Sequence, residues 1–288
     1  MVMLLGCRQP GVFVKVVMES TPCALTSTGR VTCWESVDGE DFGWQWLDVP
    51  RANDLAAVTT IACSSGASGV NCYYKTGSRG GHWPNHTAGK YTQVAMTDHN
   101  MCTLNVDGVV ECFGDSHLTL DGGGFVEIGT DSSVCGLNLV GGVECASPDR
   151  LANPELNGTY DHLTHGYSDR ICGLTDGVPD CWPKDGDYYV KPPEGVTFTD
   201  LHLGDGVICG VQTNGELMCW PYEGDDCLSA GEKCPDEVIE NVPTGTFSQV
   251  WANVDTACAV DTDGCMTCWP SDRSWAGDQR ICTEDIEQ

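Results

Sequence analysis

Nineteen cysteines are the residues of this chain best equipped for chemistry. Thiols can form disulfides, bind a metal as thiolates, or act as redox centres. Fourteen of them fall into seven pairs: Cys23 with Cys33, Cys63 with Cys72, Cys102 with Cys112, Cys135 with Cys145, Cys172 with Cys181, Cys209 with Cys219, and Cys258 with Cys268. A zinc site needs clustered Cys-x-x-Cys pairs. The one such spacing, Cys265-Met-Thr-Cys268, falls inside an expected strand. Five pairs are ten residues apart and two are nine apart, which suits opposed positions on the two arms of a hairpin.

Turn chemistry supports the hairpin. With cysteines opposed at spacing ten, the loop has three residues and ends on Gly29, Gly108, Gly141, Gly215 or Gly264. That last position wants φ > 0, which glycine supplies without a Cβ clash. Cys172 and Cys181, at spacing nine, leave Asp176-Gly177, a favoured type I′ pair. Cys63 and Cys72 fit less well, with Ala67-Ser68 at the centre. Opposed residues of a non-hydrogen-bonded pair lie about 4.5 Å apart at Cα, within reach of a disulfide. Seven cross-strand disulfides are therefore expected. Each short closed loop limits the gain to about 2–3 kcal/mol.

The elements that must present these pairs recur along the chain. First cysteines are 33 to 49 residues apart, the period of a propeller blade. Before most pairs lies another short strand opening on an aromatic: Tyr91 to Val94, Phe125 to Ile128, Tyr160 to Leu163, Phe198 to Leu201 and Phe247 to Val250. Residues 12–18 and 55–58 take this part in the first two copies. Each unit thus has three short strands and a loop long enough for a fourth. The expected fold is all-β: a seven-bladed β-propeller of four-stranded blades with one disulfide per blade, a single domain over residues 8–288.

The pattern (apolar)-Cys-x-Leu-x-x-x-Gly-x-Val-x-Cys-Trp resembles the repeat of the regulator of chromosome condensation. It is most similar to the secreted bacterial form with a cysteine in both strands. The resemblance covers roughly residues 12–270, recurs seven times, and implies blades around a central channel. The chain departs from the pattern after the second strand. Trp34 is followed by Glu35, and Trp182, Trp220 and Trp269 by prolines, while Phe113-Gly114-Asp115 alone comes near the usual continuation. Those loops are remodelled, so relatives' partners do not carry over. Nucleotide exchange on a GTPase also conflicts with the expected disulfides.

Bulk properties bound the partners. A net charge of −28 repels nucleic-acid phosphate, so DNA and RNA are not expected partners. This many cysteines point to an oxidising, extracytoplasmic setting. No stretch reaches the roughly 18 apolar residues of a membrane span. Leu4-Leu5-Gly6-Cys7 resembles a lipobox, which would make residues 1–7 a signal remnant and Cys7 a lipid anchor at a cell surface. Lipidation of Cys7 leaves Cys265 and Cys282 to pair; the rival is a Cys7–Cys282 clasp between the chain ends. Cys227 and Cys234 bracket the longest insertion and are expected to pair locally. Arg280 to Thr283 is the expected closing strand. Two glycosylation sequons begin at Asn85 and Asn157.

No catalytic motif stands out, and no cofactor is expected. Pro84 separates His82 from His86, and His162 and His165 are an odd step apart, on opposite faces of a strand. The acidic loops 38–41 and 223–226 offer calcium ligands but lack the alternating pattern of a calcium loop. Trp44, Trp46, Trp83, Tyr188 and Tyr189, in expected loops, and Trp275, in the C-terminal tail, lie outside the repeat core and are binding candidates because Trp and Tyr favour interfaces. Trp34, Trp182, Trp220 and Trp269 share one repeat position and are expected in the core. The function expected is a non-enzymatic binding or scaffold propeller that engages a protein through inter-repeat loops on one face. The alternatives are a glycan-binding or adhesin propeller using the loop tryptophans, and an enzyme with polar residues at the channel mouth.

Overall fold

The computed structural model describes residues 11–18, 22–37, 41–58, 61–74, 88–96, 100–114, 118–130, 133–146, 157–166, 170–182, 191–204, 206–222, 236–253, 255–270 and 280–286. These residues form seven small sheets taken in chain order. The first is β1 (Phe13–Met18), β2 (Pro22–Thr26), β3 (Val31–Val37) and β4 (Asp41–Trp46). The second is β5 (Asp54–Val58), β6 (Ile61–Gly66) and β7 (Gly69–Tyr74). The third is β8 (Tyr91–Met96), β9 (Asn100–Asn105) and β10 (Val110–Gly114). The fourth is β11 (Phe125–Thr130), β12 (Val134–Asn138) and β13 (Val143–Ala146). Next come β14 (His162–Leu163) and β15 (His165–Gly166). β14 joins β16 (Ile171–Thr175) and β17 (Val178–Trp182) as the fifth sheet. β15 runs parallel to β18 (Phe198–Leu203), which with β19 (Val207–Gln212) and β20 (Leu217–Pro221) makes the sixth. β21 (Phe247–Asn253), β22 (Thr256–Asp261) and β23 (Met266–Trp269) form the seventh.

Four strands in chain order occur in the first sheet. The sixth takes its fourth strand, β15, from the segment before it, and the rest show three among the described residues. Much of the chain that would carry further strands, such as 75–87, 147–156 and 183–190, lies outside the described residues.

The core is a set of layers between sheets. The middle strands β2 and β6 are buried at every position, as a strand covered on both faces must be. Seven apolar clusters fill the gaps between successive sheets, for example Cys63, Val70, Tyr91 and Val94 between the second and third. The seventh gap is between the last sheet and the first, where Phe13, Val16 and Met18 meet Cys258, Val260 and Met266. First strands lie against first strands of most neighbouring sheets, and β1 lies against β21 of the last.

The seven expected cysteine pairs are in register and bonded. Cys23 is joined to Cys33, Cys63 to Cys72, Cys102 to Cys112 and Cys135 to Cys145. Cys172 is joined to Cys181, Cys209 to Cys219 and Cys258 to Cys268. Their Cα atoms are 4.0 to 4.1 Å apart, close to the separation that opposed strand positions dictate. An eighth disulfide joins Cys265 to Cys282. The Cys7–Cys282 clasp is thereby overturned, because the Cys282 sulfur is already bonded. The turns follow the expected chemistry: φ is +80° at Gly29, +77° at Gly108, +82° at Gly141, +88° at Gly215 and +80° at Gly264. Asp176 and Gly177 are also left-handed, at +50° and +78°.

The closing strand is a second correction. Ile281 pairs with Met266 at the edge of the seventh sheet, its own, rather than entering the first. The ends meet where Thr283 Oγ1 donates to the Gly11 carbonyl at 2.6 Å. The apolar layer between these two sheets already joins them, so no exchanged strand is needed.

Candidate functional site

Two features repeat from sheet to sheet and define where function can sit. The first is at the hairpin tips. A glycine at φ near +80° turns its carbonyl outward from its own hairpin. In six of the seven gaps that carbonyl accepts the N–H that opens the next sheet. The pairs are Gly29 with Ala52, Gly108 with Phe125, Gly141 with Tyr160, Gly177 with Phe198, Gly215 with Phe247 and Gly264 with Phe13, at 2.8 to 3.0 Å. The gap without one follows the second hairpin, where Ala67-Ser68 replaces the glycine turn. There Asn53 Nδ2 donates to the Tyr91 carbonyl instead.

The second feature is a ring of polar side chains on the first strands. Register aligns Lys15, Asp54, Gln93, Glu127, His162, Asp200 and Gln249, each one residue before the partner of the position after the first cysteine. In five sheets a β-bulge immediately precedes this residue. A bulge re-aims side chains, here toward the neighbouring sheet. The Val16 N–H donates to Gln249 Oε1 at 2.9 Å, Val94 N–H to Asp54 Oδ2 at 3.1 Å and Ile128 N–H to Gln93 Oε1 at 2.8 Å. Leu163 N–H donates to Glu127 Oε2 at 3.2 Å and Val250 N–H to Asp200 Oδ2 at 2.7 Å. Lysine has no acceptor, so Lys15 Nζ bonds Asp54 Oδ1 at 2.6 Å instead. Across the His162 gap, the parallel pairing of β15 with β18 supplies the link.

Burial and charge tune this ring. Burial pushes the Asp200 carboxyl up to about 6, against the pull of the Val250 N–H and of Lys15 and His162. Burial also raises Glu127, opposed by the Leu163 N–H and by His162, whose Nδ1 is 3.5 Å away. A carboxyl titrating near 6 suits general acid–base work. Here its oxygen is committed to a backbone N–H, as are those of Asp54 and Glu127. The ring clamps sheet to sheet.

The sequence signal for the ring was present in six of the seven copies: a polar residue two places after an aromatic, with Ala52 in the aromatic's place before Asp54. The bulge that turns it toward the next sheet has no such signature.

The predicted aromatic candidates separate. Trp44 and Trp46 are on strand β4, not in a loop, and pack half-buried on the layer between the seventh and first sheets. Strand pairing sets Trp44 opposite Trp34, with ring centroids 5.9 Å apart, and Arg30 lies 3.9 Å over the Trp46 ring. Of the four repeat-position tryptophans, Trp269 is buried and donates Nε1–H to the Val238 carbonyl at 2.9 Å, within the short helix α1 (Asp236–Glu240). Trp34, Trp182 and Trp220 are half-buried. Trp83, Tyr188, Tyr189, Trp275, Cys7, Cys227, Cys234, His82, His86 and Asn85 lie outside the described residues, as do the acidic segments 38–40 and 223–226; Asn157 is exposed. Among the described residues, no group of three or more His, Cys, Asp or Glu is placed to hold a metal ion.

No protein-family model and no curated protein matches the chain. Solved structures do. The ectodomain of the receptor kinase CR4 of Physcomitrella patens aligns with a TM-score of 0.65 at 18% identity, over 90% of this chain and 73% of that one. The CRINKLY WD40 ectodomain of the Arabidopsis thaliana receptor kinase ACR4 aligns at 0.64 and 17% identity, over 94% and 98%. The WD40 beta propeller domain of Doa1 aligns at 0.59 and 11% identity, over 93% and 95%. At these identities the likeness establishes the fold, and the fold is a β-propeller.

Proposed function

We infer that the protein is an exported, non-enzymatic propeller of seven four-stranded blades, one domain over 8–288, that engages a protein partner through its end surfaces. The observation that carries the reading is how the reactive groups are used. Among the described residues, cysteines and inner-ring carboxylates alike hold strand to strand and sheet to sheet. The eight disulfides among the described residues suit an oxidising compartment. The two receptor-kinase neighbours are themselves ectodomains. A rigid ring offering variable loops is a common binding scaffold. The seven cysteine-paired copies agree with the condensation-regulator type of repeat.

The test is non-reducing peptide mapping of the exported protein, followed by photo-crosslinking on its source cells, with reduced and alkylated protein as control. The expected outcome is linked Cys102–Cys112 and counterparts, and a discrete protein adduct absent from the control. Free thiols at those pairs would refute the exported location. Binding to a glycan array with no protein adduct would replace the reading with the glycan alternative.

A further inference from the structure

Hairpin tips that face water are ordinarily polar, because exposing a large apolar side chain gains nothing on folding. Three tips obey with Ser27-Thr28, Thr213-Asn214 and Thr262-Asp263, and the second has the small pair Ala67-Ser68. The third, fourth and fifth sheets depart. Leu139 and Val140 form the fourth tip and are each 81% exposed. Val106 and Val109 at the third tip are 58% and 45% exposed, and Val178 beside the fifth is 55% exposed.

Val126, 45% exposed, joins them. It occupies the bulge position of β11. The third, sixth and seventh sheets place Thr92, Thr199 and Ser248 there, and their hydroxyls donate to the carbonyls of Leu104, Val211 and Val260. The first sheet has another exposed valine there, Val14, with exposed Val12 beside it, but both lie away from the third to fifth tips. Valine forgoes that bond and presents methyl groups to water.

These six side chains follow an arc of three successive sheets, the third, fourth and fifth, whose tips are joined in series. Phe125, next to Val126, donates to the Gly108 carbonyl of the third tip and pairs with Asn138 at the base of the fourth. Tyr160 donates to Gly141 of the fourth tip, and the neighbouring Asp161 carboxylate takes the Asp176 N–H of the fifth at 2.8 Å. None of the six belongs to a core layer. The exposed acids Asp107, Asp121, Asp161 and Asp176 lie on the same three sheets or the segments that enter them, where Lys90 is the one exposed Lys or Arg among the described residues.

We propose that this acid-rimmed apolar arc docks a protein segment whose apolar side chains are flanked by Lys or Arg. The proposal rests on the protein-binding reading above and names the surface and the partner's chemistry. Charge selects the occupant. A second copy of the chain would bring another net −28 and the same acidic rim onto like charge, which costs binding.

The experiment pans a phage-displayed random dodecapeptide library against the disulfide-intact full chain. Selected peptides are expected to carry apolar residues beside Lys or Arg. Their affinity should drop at least about tenfold in the double variant Leu139→Ser with Val140→Ser, as for a truncated interface anchor. It should weaken several-fold between about 50 and about 500 mM salt, as screening shortens the reach of the rim. A control with Thr213→Ala and Asn214→Ala at the sixth tip should change nothing. Both variants alter exposed turn positions, and an unchanged Tm verifies folding. Peptides that bind the fourth-tip variant fully, or a library yielding no binder, overturn the arc as the site. If those peptides instead lose binding in Trp275→Ala, the arc fails while the protein-binding reading stands. Peptides without a basic bias, or a dimer in sedimentation that the fourth-tip variant returns to monomer, overturn the occupant.

Discussion

Gln249 and Val16 stand 233 residues apart in the chain, yet Gln249 Oε1 accepts the Val16 backbone N–H at 2.9 Å. That bond ties the seventh sheet to the first at a fully buried amide. Gln249→Leu removes the acceptor and leaves a buried donor unmet, a cost of about 1–3 kcal/mol. Gln249→Glu keeps the acceptor and should cost less. Denaturant unfolding measures the difference, and hydrogen exchange at the Val16 amide should accelerate in the leucine variant alone.

The raised Asp200 sets a pH dependence with a definite sign. Its carboxyl stays protonated in the folded state up to about 6, whereas the unfolded chain releases the proton near the ordinary 3.8. The folded state therefore binds more protons in between, and stability falls as pH rises through this window. The contribution is whole below the unfolded value and lost above the folded one, about 3 kcal/mol in full. Asp200→Asn still presents an oxygen to the Val250 N–H and does not titrate. The Tm difference between Asp200→Asn and the parent should therefore grow between pH 4 and pH 7 in favour of the variant. A constant difference would show that Asp200 ionises normally.

Two tip glycines share a left-handed φ but not their surroundings. A Cβ on Gly29 would stand 2.7 Å from the Ala52 carbonyl oxygen and 3.0 Å from its nitrogen, backbone atoms that cannot rotate away. On Gly215 it would meet nothing nearer than Thr246 at 3.3 Å. Gly215→Ala should cost about 1 kcal/mol, the conformational strain alone. Gly29→Ala should cost at least about 2 kcal/mol, because the Gly29–Ala52 hydrogen bond must also stretch. Thermal unfolding of the two variants side by side decides the point.

Cys265 and Cys282 close a loop of sequence separation 17 that fastens the last described segment. Arg280 adds hydrogen bonds to Asp261 and, at 2.9 Å, to Asp263. Burial would raise the Asp261 carboxyl, but Arg280 and the N–H groups of Cys265 and Asp263 outweigh it and hold it below the usual carboxylate range. Removing the bridge by Cys265→Ala together with Cys282→Ala should cost about 3 kcal/mol by loop entropy. Protease cleavage after Arg280 should appear in the variant while the seven cross-strand disulfides stay intact, as read by peptide mapping.

Local chemistry was legible in the chain. Opposed cysteines, glycine at the left-handed tip position, and an aromatic opening most first strands are all short-range rules, set by two-residue strand periodicity and turn sterics. They led from Cys23 and Cys33, and from counterparts such as Cys135 with Cys145 and Cys209 with Cys219, to seven hairpins and their disulfides. They also marked the poor fit of Ala67-Ser68 between Cys63 and Cys72, which proved to be the gap lacking a glycine link, and the Asp176-Gly177 turn between Cys172 and Cys181. Tertiary structure decided what depends on neighbours distant in sequence. Trp44 and Trp46 read as loop aromatics until β4 paired with β3 and folded them onto the core. Lys15, Asp54, Gln93, Glu127, His162, Asp200 and Gln249 carry no local mark of their role, because the backbone N–H groups and charges they meet belong to neighbouring sheets. Cys265 chose Cys282 because Ile281 pairs with Met266. A strand's own residues settle which face is apolar and where it turns, but an inter-sheet hydrogen bond or a burial-shifted carboxyl exists only when two sheets are in place.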